Sequence, residues 1–329
     1  MQESNKKIFN HLKIHTQYSI CEGATKIDDL KNYCKVNKIR SVGLCDTSNL
    51  CGALEFAEKI SKSGTQPIIG TQIKFKIDET IGLLPLFALN EVGYKNIINL
   101  SSSYYLNNEE LSDPYIEFNK LLSNSNGIAI LTGSVFGLFG QLFDKGKFTE
   151  IHDSYVEIKK IFGDRFYIEI QRHKDRNEIN FEKFNLTKSL DLEIPIIATN
   201  EVFYLNKDMH EAHDALICIG NKTYVNDKSR LRLSDQHYFK ENSEMSELFA
   251  DLPEALENNY NFPLRCSFKP LFSNPVLPNI SSDKGGNADD ILKKDSLEGL
   301  KDKFNKVFDL KDDNLEKNPK YLEYKVRLD

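Results

Sequence analysis

The sequence predicts an α/β fold in which a largely parallel sheet is either closed into a barrel or wound as an open layer between helices. Two observations support this. Segments with strand character alternate with segments of helical spacing along most of the 329 residues, as in repeated β-then-α units. A short apolar segment, 42–45, also ends at Asp46, and ligands bind at the carboxyl ends of strands in such folds.

The first predicted strand, near the start of the chain, has one polar and one apolar face. His11, Lys13 and His15 alternate with Leu12 and Ile14, and a period of two is typical of a strand. Three ionisable side chains are costly to bury on one face, so we expect that face to line a cleft or the mouth of a barrel. The two apolar residues are expected to pack together under the helices.

The other elements follow in order. The next is a helix over 26–37, because apolar residues recur at helical spacing and two aspartates suit its first turn. A turn is predicted near 78–79, and a polar loop at 107–113, closed by Pro114. Further strands are predicted at 42–45, 67–77, 82–89, 127–131, 165–171 and 194–198, and further helices at 52–61, 95–106, 149–162, 177–190, 208–219, 243–259 and 288–307.

Composition excludes several classes of protein. Apolar residues make up 40 % of the chain, no window approaches the roughly 18 apolar residues of a membrane span, and the start lacks the apolar core of a signal peptide. We therefore expect a cytoplasmic protein without a membrane partner. A net charge of −6 provides no general attraction to nucleic acid. The six cysteines form no C-x-x-C pair, so a zinc site built on them is not expected.

Several motifs resemble the PHP (polymerase and histidinol phosphatase) superfamily. Its pattern is H-x-H-T-x-Y-S, then a strand ending in D-H, then P-x-x-G-x-E. The corresponding segments here are HLKIHTQYS, CDTSNLCGALEF and PIIGTQIKF. These segments resemble the amino-terminal PHP domain of bacterial DNA polymerase III alpha subunits in particular. The segments FYIEIQRH, IPIIATNEVFYL, EAHDALICIG and EMSELFADLPEAL extend the resemblance in order, from about residue 8 to about residue 263.

The resemblance implies a distorted (β/α)7 barrel over 1–265, a Pro/Gly-rich linker over 266–287 and the start of a palm region over 288–329. It also implies a parent chain that is a DNA-directed DNA polymerase acting in DNA replication, with catalytic magnesium in a palm beyond these residues. The chain thus resembles an amino-terminal fragment. Its implied partners are the palm and other domains of the same chain, the proofreading exonuclease subunit and, in the holoenzyme, the sliding clamp and primer-template DNA.

The resemblance also locates the superfamily's metal-binding positions, and about half of them are substituted. Imidazole and carboxylate are the ligand types that such a site requires. Four positions keep a ligand type, the last as a longer carboxylate: His15, Asp46, His173 and Glu201. Five positions carry another residue: Lys13, Thr47, Gln72, Ser134 and Phe203.

These substitutions predict a degenerate site. A protonated lysine has no lone pair and a phenylalanine cannot coordinate, so we expect no bound metal, no cofactor and no catalytic residue within the fragment. Lys13 is expected to reach between Asp46 and Glu201 and to replace part of the lost positive charge. Two functions remain open: a non-catalytic scaffold and docking module of a replicative polymerase, or a metal-dependent phosphoesterase or proofreading 3′–5′ exonuclease.

Overall fold

The computed structural model describes residues 7–106, 114–275, 287–308 and 315–328. The chain divides into two compact units, Met1–Phe272 and Ser273–Asp329. The strands of the first unit are β1 (His11–Ile14), β2 (Ser41–Thr47), β3 (Gln66–Ile77), β4 (Thr80–Ala88), β5 (Ile116–Glu117), β6 (Ile128–Leu131), β7 (Phe166–Ile170), β8 (Ile196–Ala198) and β9 (Glu201–Val202).

The helices match the predicted positions closely, with some additions. Those of the first unit are α1 (Ile27–Asn37), α2 (Ala53–Lys62), α3 (Glu91–Leu106), α4 (Phe118–Ser123), α5 (Leu138–Asp144), α6 (Phe148–Phe162), α7 (Glu178–Leu192), α8 (His210–Gly220), α9 (Asn242–Leu248) and α10 (Pro253–Asn261). The second unit contains α11 (Ala288–Phe308) and α12 (Pro319–Val326), which pack around Phe304, Leu315 and Tyr321.

One mixed sheet forms the body of the first unit. Its strands lie in the order β8-β7-β6-β4-β3-β2-β1-β9, with β5 added beside β3. Neighbours along this path are parallel, except that β4 runs antiparallel to both β3 and β6. The predicted turn near 78–79 forms the β3–β4 hairpin, and Asp78 has the positive φ of +49° that a tight turn requires.

The sheet is curled into a barrel because its two ends belong to one segment. From Ala198, the last residue of β8, the chain reaches Glu201 in β9 in three peptide steps, which span at most about 11 Å. Eight strands laid flat would extend over roughly 34 Å. With β8 and β9 counted as one interrupted strand, seven strands surround the barrel, and the antiparallel β4 is its distortion. The predicted distorted (β/α)7 barrel is confirmed.

The predicted faces of β1 are wrong in one respect, because a bulge interrupts the alternation. His11 pairs with Val42 and Ile14 with Leu44, so three steps along β1 match two along β2. Leu12 therefore packs inside the barrel, whereas Ile14 packs in the cluster beneath helices α1 and α2. The two apolar residues do not share a face.

Two further expectations need correction or lie outside the described residues. The helix predicted over 243–259 is two helices, α9 and α10, because Pro253 begins the second one and cannot continue the first. The predicted loop at 107–113, the part of the linker at 276–286 and the tail segment 309–314 lie outside the described residues. No helix in the described ranges is long and apolar enough to cross a membrane.

Candidate functional site

The predicted site residues converge at one end of the barrel, and Lys13 is at their centre. Its ammonium nitrogen lies 3.3 Å from Glu201 Oε1 and 3.6 Å from Glu169 Oε1, and the Lys13 side chain is completely buried. The register explains the first contact, because Lys13 on β1 is paired with Glu201 on β9. The second contact crosses the barrel to β7. An ammonium thus occupies the space between two carboxylates.

The charge of this group is stable because the two carboxylates outweigh the cost of burial. Burial alone lowers the pKa of Lys13, but Glu169 and Glu201 raise it above its ordinary value. For Glu201, burial raises the pKa, whereas Lys13 and then His15 bring it well below its ordinary range. Lys13 and Glu201 are therefore both charged at neutral pH in the folded chain.

Glu169 is a site residue that sequence reasoning missed. Its Oε1 accepts hydrogen bonds from Gln171 Nε2 at 2.9 Å and from the Thr199 hydroxyl, so the carboxylate is fixed in place. The alternation of apolar and polar residues over 165–171 places Glu169 and Gln171 on one face. That alternation could have identified Glu169 as a site residue, since a carboxylate pointing into a barrel requires a partner.

Lys13 was expected to lie between Asp46 and Glu201. It contacts Glu201 but not Asp46, which has hydrogen-bond partners of its own. Asp46 accepts hydrogen bonds from the Thr16 backbone N–H at 2.6 Å, the Thr16 hydroxyl at 2.8 Å and the Ser19 hydroxyl at 2.7 Å. Burial raises the pKa of Asp46 although these donors lower it. The carboxylate that replaces it beside Lys13 is Glu169.

His15 is held between a carboxylate and an aromatic ring. Its Nε2 lies 3.1 Å from Glu201 Oε1, the same oxygen that faces Lys13. Phe203 stacks on the imidazole with 4.5 Å between ring centroids. Phe203, which occupies a ligand position of the superfamily pattern, thus covers one face of the His15 ring.

His173 is engaged at both ring nitrogens. Its Nε2 accepts a hydrogen bond from the Glu201 backbone N–H at 3.0 Å, which leaves Nδ1 to donate to Glu178 Oε1 at 3.2 Å. Burial, followed by the charge of nearby His237, lowers the pKa of His173 well below its ordinary value. The ring is neutral, and its lone pair is already used.

Asp175 and His237 also belong to the site, and sequence reasoning did not identify them. Ligand atoms of His173, Asp175 and His237 lie within 4.8 Å of one another. His237 Nε2 lies 2.9 Å from Asp175 Oδ2, and its Nδ1 lies 3.2 Å from the Glu201 carbonyl oxygen. Both of these partners are hydrogen-bond acceptors. No local motif links residues so far apart in sequence.

The remaining substituted positions make protein contacts at the same end of the barrel. Gln72 and Thr47 are paired in the β2–β3 register, and Gln72 Nε2 donates to the Thr47 hydroxyl at 3.2 Å. The Ser134 hydroxyl accepts from the Phe136 backbone N–H at 3.3 Å. Ser134, Gln72 and Phe203 also line a pocket at the barrel mouth.

As arranged, these donors do not fit a metal centre. The His173 and His237 rings are parallel, with an interplanar angle of 1° and centroids 4.2 Å apart. An imidazole lone pair lies in the plane of its ring, so two parallel stacked rings cannot direct their lone pairs at one ion. Asp46 already accepts three hydrogen bonds from hydroxyl and amide donors, and an ammonium lies beside Glu201. The Lys13 ammonium is therefore found where the superfamily pattern implies a metal ion.

Comparison with known proteins agrees with the fold. The PHP domain family matches residues 11–173, a range that contains Lys13, His15, Asp46, Gln72 and His173. This part of the chain belongs to the family.

The curated relatives narrow the assignment further: the chain is a homologue of DNA polymerase III alpha subunits. DNA polymerase III subunit alpha of Caulobacter vibrioides is 35 % identical over 92 % of this chain and 27 % of its own length. The Rickettsia conorii protein of the same name is 36 % identical over 89 % of this chain and 25 % of its own length. The Haemophilus influenzae protein is 33 % identical over 99 % of this chain and 28 % of its own. The chain thus spans about a quarter of the length of these relatives.

Solved structures show weaker similarity. A two-domain protein from Bacteroides vulgatus, described as containing a predicted PHP-like metal-dependent phosphoesterase, overlaps 72 % of this chain and 62 % of its own, with a TM-score of 0.39 and 12 % identity. An amidohydrolase from Chromobacterium violaceum overlaps 59 % of this chain and 87 % of its own, with a TM-score of 0.40 and 8 % identity. Overlaps this weak carry no information about activity.

Proposed function

We propose that this chain is the PHP region of a bacterial DNA polymerase III alpha subunit and acts there as a non-catalytic scaffold and docking module with a degenerate metal site. The observation that carries the proposal is the buried Lys13 ammonium between Glu169 and Glu201. A two-metal mechanism needs carboxylates free to bind cations, and here they neutralise a lysine.

In this proposal the polymerase as a whole performs DNA-directed DNA synthesis, with magnesium in a palm outside these residues. The partners of the scaffold are the other domains of the same polymerase and the proofreading exonuclease subunit, and the holoenzyme adds the sliding clamp and primer-template DNA. Replication takes place in the bacterial cytoplasm, which is therefore the proposed location.

A metal-dependent phosphoesterase or 3′–5′ exonuclease is the second candidate, and the proximity of His173, Asp175 and His237 favours it. The stacked geometry of the two rings opposes it. Only a rotation of one ring, with loss of its hydrogen bonds, would direct both lone pairs at one ion.

Activity assays of the 329-residue chain separate the two candidates. With added Mg²⁺, Mn²⁺ or Zn²⁺, we expect neither hydrolysis of bis(p-nitrophenyl) phosphate nor shortening or extension of a labelled primer. Metal-dependent hydrolysis that disappears in Glu201→Gln and persists in the control Glu58→Gln would establish the phosphoesterase instead.

A further inference from the structure

The pocket at the barrel mouth combines apolar walls with an open, apolar rim. It encloses about 390 Å³ and is lined by residues of the first unit. Among them Ile20 is 82 % exposed, Leu231 53 % and Phe136 37 %, while Phe203 lies deeper. Apolar side chains this exposed around one opening are typical of an interaction site.

Two carboxylates of this pocket have oxygens without a protein partner. Glu201 is 6 % exposed, and both Lys13 and His15 face its Oε1. Its Oε2 accepts no hydrogen bond from any residue in the described ranges. Glu22 Oε2 is buried and likewise without a partner among the described residues. A buried, unsatisfied acceptor of this kind is costly, and a bound donor would remove the cost.

The charge of the pocket favours a cation. Neither lysine nor arginine occurs among its lining residues in the described part of the chain. His237 also lines the pocket, and both of its ring nitrogens already face acceptors on Asp175 and Glu201. A ligand that fits therefore presents several hydrogen-bond donors and a positive charge on an apolar stem.

We propose that the mouth of the barrel is a docking pocket for an arginine side chain of a partner polypeptide. A guanidinium offers five donors to the Glu22 and Glu201 oxygens and is more weakly hydrated than an ammonium. It also stacks on aromatic faces, and Phe136 on the rim is 37 % exposed. The residues flanking the arginine cover the exposed Ile20 and Leu231 side chains, which a single amino acid would leave in water.

This inference rests on the proposed metal-free state of the site, because a metal ion on Glu201 would occupy the carboxylate oxygen that Lys13 and His15 leave free and would add positive charge to the pocket. The two are tested by different measurements. Metal found in the purified chain would contradict the proposed function, whereas a metal-free chain that does not recognise arginine would contradict only the docking pocket.

The test uses methyl-labelled 329-residue chain and follows the methyl resonances of Ile20, Ile217, Leu231 and Leu233 by NMR. The probe is the blocked peptide acetyl-Leu-Arg-Leu-amide, and its matched control carries citrulline, a neutral isostere of arginine. We expect saturable shifts at these methyl groups with the arginine peptide and binding at least about tenfold weaker with citrulline, since a hydrogen bond to a charged group contributes about 1.5–3 kcal/mol. Glu22→Gln should weaken the arginine peptide, and Glu58→Gln on α2 should not.

Three results would overturn the proposal. Equal affinity for the arginine and citrulline peptides would show that the positive charge does not contribute to binding. Binding of phenyl phosphate at the same methyl groups in preference to the arginine peptide would assign the pocket to anions. Binding of n-butylguanidinium as tightly as the peptide would show that the flanking residues contribute nothing, and the pocket would then be a small-molecule site.

Discussion

Lys13 illustrates how a substitution of one residue changes the chemistry of a whole site. Its side chain is buried between Glu169 and Glu201, where a neutral residue would leave two carboxylates facing each other at low dielectric. Such a pair is tolerated only with a partner or with a raised pKa. The lysine supplies that partner, so we expect its removal to destabilise the fold.

Lys13→Met keeps the length of the side chain and removes the charge. We expect it to lower the free energy of unfolding by about 3–5 kcal/mol, because it leaves buried carboxylates without their cation. Urea denaturation measures the loss. The control Lys59→Met removes two part-exposed ion pairs, to Asp28 on α1 and to Glu55 on α2, and should cost much less, because such pairs contribute little to stability. A loss no larger than that of the control would show that Lys13 does not stabilise the carboxylates.

His213 provides a pH-dependent contribution to stability. It is buried, and its Nε2 donates to the Glu22 carbonyl at 2.8 Å; burial lowers its pKa to about 4 from 6.5. The unfolded chain therefore binds a proton at a higher pH than the folded chain, so this contribution is complete above pH 6.5 and is lost as pH falls towards 4. Its upper limit is about 3 kcal/mol, at about 1.4 kcal/mol per pKa unit.

His213→Gln keeps a donor for the Glu22 carbonyl and removes the titration. Urea denaturation between pH 6.5 and 4 should show a smaller loss of stability in this variant than in the parent chain. His152→Gln on α6 is the matched control and should follow the parent. Identical pH profiles for the parent and His213→Gln would contradict the account.

At the scale of elements, the bulge in β1 determines which side chains enter the barrel. The alternation of polar and apolar residues predicted the strand, and the resemblance to the PHP superfamily implied that Asp46 and Glu201 converge at one mouth of the barrel. The sequence did not predict the bulge, since alternation alone gives no sign of an extra residue in the pairing. Glu169 and His237 were missed for a related reason: their roles depend on contacts between distant segments.

Gly43 allows β2 to pass the bulge at close range. A Cβ built at Gly43 would lie 2.2 Å from the Leu12 carbonyl oxygen and 2.7 Å from the Leu12 Cα, and both are backbone atoms that cannot turn away. Gly43→Ala should therefore destabilise the first unit by more than about 2 kcal/mol, as overpacking in a core does. Thermal unfolding measures it. Gly299→Ala in α11, where a Cβ meets nothing within 4 Å, should leave the barrel transition unchanged; an equally small effect at Gly43 would contradict the close approach.

At the scale of the whole molecule, the barrel and its helices were largely predictable, and the state of the site was predictable in part. The alternation of strands and helices indicated a barrel-like or doubly wound sheet. The family resemblance indicated the barrel and, through the residues at 13, 47, 72, 134 and 203, a degenerate site. The closure of the sheet through the segment from Ala198 to Glu201 and the parallel stacking of His173 on His237 required the structure. Both arise from tertiary contacts that local sequence does not encode.

The central claim is that an internal cation stands where related sites are expected to bind metal. Elemental analysis of the purified 329-residue chain tests it most directly, after incubation with zinc and manganese and removal of free ions by gel filtration. We predict no stoichiometric zinc or manganese, because Lys13 pairs with Glu201, the stacked histidines cannot share an ion, and Asp46 is already hydrogen-bonded to three donors. Two or more tightly bound ions per chain would contradict the account.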